Sequence, residues 1–104
     1  MGSADCAYMS NQIIATGAAI DILNVGFLPR KIRIVNLTNS LQVEWTEGLP
    51  SGTNLKVADA GDLSVITSGV TTKEDTDGNQ GFRIPALADI NDTTTEALLW
   101  EAIG

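Results

Sequence analysis

Histidine is absent from this 104-residue chain, and cysteine occurs once, at Cys6. The first absence removes the commonest general base and the commonest metal ligand together. No Ser-His-Asp or Cys-His arrangement can be assembled within one chain, and one cysteine without histidine cannot make a zinc site of the usual kind. A lone cysteine forms no internal disulfide, so stability has to come from packing or from association with copies or partners. Cys6 has no flanking cation to lower its pKa and reads as inert.

Bases are also scarce: six Lys and Arg face thirteen Asp and Glu, for a formal charge of -7. Phosphate-binding surfaces need clustered cations that displace counterions, so a nucleic-acid partner is not expected. No stretch approaches the roughly 18 uninterrupted apolar residues of a membrane helix, and the N-terminus lacks a basic region followed by an apolar run. A soluble chain without a signal peptide or membrane partner is expected. Cys6 also stands where the myristoylation pattern needs Ser or Thr. There is no GxGxxG or other phosphate-cradling glycine pattern.

What is present is alternation. In Asn24 to Trp45, Ile32 and Ile34 point one way and Lys31 and Arg33 the other; Leu41, Val43 and Trp45 then alternate with Gln42, Glu44 and Thr46. Side chains on a strand change face at every residue, so these are two half-buried strands, and Asn36, Thr38, Asn39 and Ser40 supply the turn of a hairpin. Short strands are also expected over 12–16, 18–24 (Ala18, Ile20 and Ile22 opposite Asp21), around Leu55 and Val57, over 63–67, and around Phe82 and Ile84, which face inward. A loop fits 47–52, and the wholly polar TTKEDTDGNQ of 71–80 is the segment least suited to packing. Thr93 and Glu96 match a helix capping box, but a last strand with Leu98, Trp100 and Ala102 on one face suits the remaining pattern better. Trp45 and Trp100 each sit on an apolar face, where core packing competes with carbohydrate stacking.

The fold expected is all-β: a single small β-sandwich or barrel-like domain of about seven to eight short antiparallel strands with a mobile N-terminal arm. The arm is placed at residues 1–12 and the sandwich at 13–104.

Paired carboxylates are the one catalytic device within reach. Asp59 with Asp62, or Glu74, Asp75 and Asp77, lie in polar loops where water keeps them ionised, so turn formation is the simpler role. Asp75, Asp77 and Asn79 have the spacing of a calcium loop's first ligands, but Gly81 falls one place late and Ala86 occupies the position of the bidentate Glu. Asp77-Gly78 is explained as a hairpin turn. The sequons at Asn36 and Asn91 have meaning only in a secreted eukaryotic chain. No enzyme activity, cofactor or metal is expected.

One basic cluster stands out, Arg30, Lys31 and Arg33. Lys31 and Arg33 share a strand face, which is either a solvated surface or a positive stripe that docks on an acidic partner.

The order GFLPRKIRIVNLTN, VEWTEGLPSGTNLKVADAG, LSVITSGV, GFRIP and INDTTTEALLWEA resembles a family of small virion proteins encoded by tailed bacteriophages. The likeness spans residues 24 to 102; Pro85, and Thr93 to Thr95, depart from glycine-bearing turns in the family's pattern. The resemblance implies a head decoration (cement) protein that binds the major capsid protein on the outer head surface. It also implies a homo-oligomer, with a trimer as one arrangement, made in the host cytoplasm and carried on the virion. The contact residues expected from the basic stripe and the apolar arm are Tyr8, Met9, Arg30, Lys31 and Arg33. A tail-fibre or receptor-binding module that stacks exposed rings on host glycans is the alternative.

Overall fold

The computed structural model describes residues 7–88, 90–92 and 94–104. Among these there is no helix, and nine strands form two antiparallel sheets. The strands are β1 (Tyr8–Ile14), β2 (Ile20–Ile22), β3 (Lys31–Asn36), β4 (Leu41–Thr46), β5 (Asn54–Val57), β6 (Leu63–Ile66), β7 (Thr71–Glu74), β8 (Gln80–Ile84) and β9 (Ala97–Ile103). The larger sheet has the order β1-β9-β3-β4-β5-β6 and the smaller β2-β8-β7. The expected all-β sandwich is therefore the fold, with nine strands where the sequence pattern leads to about seven to eight.

Alternation sets the inner face of the larger sheet. Ile32 and Ile34 of β3, Leu41, Val43 and Trp45 of β4, and Leu98, Trp100 and Ala102 of β9 are buried. Their neighbours along each strand are half-buried and turn outward. Phe82 and Ile84 of β8 come from the opposite sheet, with Ile20 and Ile22 of β2 packed beside them, and close one core with Val25, Val70 and Ile90. At about 25 cal/mol per Å² of apolar area removed from water, such side chains each contribute about 1.5–3 kcal/mol on burial.

The hairpin of β3 and β4 pairs Lys31 with Thr46 through Asn36 with Leu41, as the alternation requires. Its four-residue loop closes with Ser40 in the left-handed region, φ 58°. The closing segment is a strand: β9 lies between β1 and β3, joining the first and last strands of the chain. Thr93 of the capping-box pattern lies outside the described residues, and Glu96 is a buried side chain just ahead of β9.

Two expectations need correction. The boundary placed at residue 12 falls inside β1: Tyr8 to Gln12 are already in register with Ile103 to Leu99. Residues 1–6, with Cys6, lie outside the described residues. The polar stretch 71–80 is not an unpacked loop, because Thr71–Glu74 form β7 and pair with Gln80–Arg83. Its threonines keep strand geometry at the sheet edge, where one face meets water and tolerates polar side chains. Only 75–79 turn, with Gly78 at φ 84°.

Connections between strands are fastened by three asparagines that are fully buried, Asn36, Asn54 and Asn91. An amide side chain carries both a donor and an acceptor, so it can satisfy a loop N–H and a loop carbonyl at once. Asn36 Oδ1 accepts from Thr38 N and Asn39 N at 3.0 and 2.8 Å, while its Nδ2 donates to Ile90 O and to Glu96 Oε1. Asn54 ties the start of β5 to the residue before β7, accepting from Val70 N at 2.8 Å and donating to Val70 O at 3.3 Å. Asn91 Oδ1 accepts from Thr16 N and Gly17 N, and its Nδ2 donates to Ala18 O and Pro85 O.

Candidate functional site

The outer face of the six-stranded sheet is the broad surface that the fold leaves for a partner. Register places Tyr8, Ser10, Gln12 and Ile14 of β1 on it, beside Ile103, Glu101, Leu99 and Ala97 of β9. Lys31, Arg33 and Val35 of β3 follow, then Thr46, Glu44 and Gln42 of β4. Leu55 and Val57 of β5, then Val65 and Leu63 of β6, complete it.

Charges run across its middle. Arg33 Nε donates to Glu101 Oε1 at 2.6 Å, and Lys31 Nζ lies 3.7 Å from Glu44 Oε2. The Tyr8 hydroxyl donates to the second oxygen of Glu101 at 2.7 Å. That hydroxyl, then the Arg33 hydrogen bond and the fields of Arg33 and Lys31, hold the Glu101 carboxyl below the usual carboxylate range against the opposing effect of partial burial. Lys31, Arg33, Glu44, Glu101 and Ile103 line a shallow depression of about 310 Å³.

This geometry corrects the picture of a positive stripe. Two cations and two carboxylates alternate across β9, β3 and β4, so the band is formally neutral. Arg30 is also paired, donating through Nε and Nη2 to Glu47 Oε1 at 2.9 and 2.6 Å across the end of the hairpin. Of the five residues expected to make contacts, Tyr8, Lys31 and Arg33 share the outer face, Arg30 sits at the sheet end, and Met9 turns to the opposite face of β1 opposite Ala102. Glu101 joins Tyr8 to Arg33. Sequence alternation placed it outward but carried no sign of its partners, which lie 93 and 68 residues away.

The smaller sheet bears a second charge cluster. Asp21 accepts from Arg83 Nε at 2.7 Å and from Lys73 Nζ at 2.8 Å, and these two bonds hold its carboxyl far below the usual range. Asp21 in turn raises the pKa of Arg83.

The other candidates have structural roles. Asp75 accepts from Asp77 N, Asn79 N and Asn79 Nδ2, all at 2.9 Å, which makes it the organiser of the β7–β8 turn. Those bonds, the Asn79 side chain foremost, hold its carboxyl below the usual range. Among the described residues no three acidic or thiol side chains gather as a metal-binding group. Asp59 and Asp62 are exposed at the β5–β6 turn. Asn36 and Asn91, the sequon residues, are buried and hydrogen-bonded, so neither presents an amide for glycosylation in the folded chain. Trp45 and Trp100 are in the core, 9% and 2% exposed, and Tyr8 is the aromatic that meets solvent, at 56%.

The chain matches no protein-family model, no curated protein and no solved structure.

Proposed function

We propose that the protein is a non-enzymatic structural component of a tailed-phage virion that binds the outer capsid surface and stabilises the head. The observation behind this reading is the outer sheet face: a broad surface with Tyr8 and Arg33 joined at Glu101 and apolar side chains around them. Tyrosine and arginine carry much of the binding energy at protein interfaces, and apolar neighbours exclude water from such contacts. The partner is the major capsid protein, and the site of action is the head surface. Partnered charges suit this role, because a preorganised ion pair gives register and specificity to docking more than raw affinity. The receptor-binding alternative needs exposed Trp or Tyr rings to stack on sugars; both indoles are in the core, which leaves it Tyr8.

The test is to mix purified protein with heads that lack it and to locate it by electron-microscope reconstruction. Density at regular positions on the shell, with the outer face of the six-stranded sheet against the lattice, is the expected result. Lys31→Glu with Arg33→Glu is expected to lower occupancy. Bare heads, or unchanged occupancy by the charge-reversed protein, would overturn the shell reading or the role of these residues, respectively.

A further inference from the structure

Among the described residues nothing pairs with the two outer strands of the six-stranded sheet, β1 and β6, and these edges are unlike ordinary exposed edges. Natural sheets protect their edges with lysine, proline or inward charges, because unpaired N–H and C=O groups template further strand pairing. Neither Tyr8–Ile14 nor Leu63–Ile66 contains a charged residue or a proline, in a chain with nineteen acidic and basic side chains. Exposed large apolar residues concentrate there as well. Tyr8, Met9 and Ile14 lie on β1, and Leu63 and Val65, 65% and 62% exposed, lie on β6; Leu28 and Leu37 lie elsewhere.

Backbone directions follow from the bonds that flank each ladder. Gly104 N donates to Ala7 O and Ala15 N to Glu96 O, so the odd-numbered residues of β1 bond to β9 and Tyr8, Ser10, Gln12 and Ile14 direct their N–H and C=O to the open edge. Ala58 N donates to Asp62 O, so Lys56 and Ser64 form a bonded pair and Leu63 and Val65 direct their groups outward. On both strands these are the residues whose side chains lie on the outer sheet face. Five successive antiparallel pairings also make β6 run opposite to β1. A second copy laid beside the first in the same orientation therefore meets β6 with its own β1, antiparallel and without a change of face.

We infer that copies of this chain assemble head to tail by pairing β6 of one with β1 of the next, extending the six-stranded sheet. Asn11 Oδ1 already accepts from Gln12 N at 2.8 Å, which places the new ladder at the other end of β1. Tyr8 then faces the neighbour's Val65 and Ser10 its Leu63, each pair exchanging backbone hydrogen bonds. A second copy is the occupant because one chain carries both complementary edges with matching direction and face. A two-fold dimer through either edge would leave the other uncovered, whereas the heterologous contact covers both and closes as a ring or continues as a fibre. This inference does not depend on the capsid reading.

Sedimentation velocity of the whole chain tests it, using Ser10→Pro to block the β1 edge and Val65→Pro to block the β6 edge. Both prolines remove an N–H that the monomer's own ladder does not use, which edge strands tolerate. Ser10→Lys and Val65→Lys serve as a second pair with the backbone intact, and circular dichroism checks each fold. The wild type is expected to sediment as an oligomer, each variant alone as a monomer, and an equimolar mixture of the two as a dimer formed from the remaining good edges. A monomeric wild type, a Ser10→Pro protein that still dimerises through β6, or a mixture that stays monomeric would overturn the proposal.

Discussion

Phe82 and Trp100 meet edge to face across the two sheets, with ring centroids 5.3 Å apart and planes at 68°. One ring comes from β8, the middle strand of the three-stranded sheet, and the other from β9, one strand in from the β1 edge of the six-stranded sheet, so this contact joins the two sheets. The indole Nε1 is buried with no hydrogen-bond partner among the described residues, so Trp100 acts here as an apolar body.

Phe82→Ala should therefore cost about 3–5 kcal/mol, the range for emptying a well-packed aromatic site. Trp100→Phe removes the unpartnered N–H while keeping a ring, and should cost distinctly less than Phe82→Ala. Urea titrations followed by circular dichroism measure both, and equal losses would show that the indole is not interchangeable with a plain ring.

Asn91→Ala should be among the most damaging single polar changes. It strands two backbone donors, Thr16 N and Gly17 N, and two acceptors, Ala18 O and Pro85 O. An unsatisfied buried group costs about 1–3 kcal/mol, and with some relaxation a total near 3 kcal/mol is expected. Asn91→Asp restores the acceptor alone and should recover part of the loss in thermal melts.

Gly81→Ala tests a close approach of backbone to backbone. A Cβ at this position would overlap the Ile22 carbonyl oxygen at the end of β2, and the glycine's φ is not in the left-handed region, so space and not backbone freedom requires glycine. A loss of about 1–3 kcal/mol is expected, with hydrogen exchange faster in β2 than in β3.

Acid should destabilise the fold through carboxylates whose pKa is depressed in the native state: Asp21, then Glu47, Asp75 and Glu101. The unfolded chain binds protons to these groups first as pH falls. Their stabilisation is thus complete above the unfolded carboxylate pKa of about 4 and is lost progressively below it. Asp21→Asn should flatten the acid limb of a melting-temperature profile between about pH 4 and 2 while changing little of its shape at neutral pH. An unchanged acid limb would show that the Arg83 and Lys73 contacts do not persist in solution.

Strand identity and facing were legible in the sequence wherever one face is buried. Lys31 to Asn36, Leu41 to Thr46 and Ala97 to Ile103 alternate because each has one side in the core and one in water. The segment 71–74 was missed because a polar edge strand carries no such contrast, and β1 was cut at residue 12 for the same reason: six of its seven residues are exposed.

What the sequence determined by itself is local: the period of two, the turn residues, and the lack of histidine and disulfide chemistry. Apart from the β3–β4 hairpin, whose turn is local, which strands become neighbours was decided only in three dimensions, because strand order depends on how the whole apolar set closes into one core. That order put Glu101 between Tyr8 and Arg33, turning a run of bases into a neutral band. It also assigned the buried asparagines to backbone groups up to 75 residues away, and left β1 and β6 at the edges. An asparagine in a turn and one sealed in the core look alike in a sequence; the difference lies in which distant backbone groups need a donor and an acceptor.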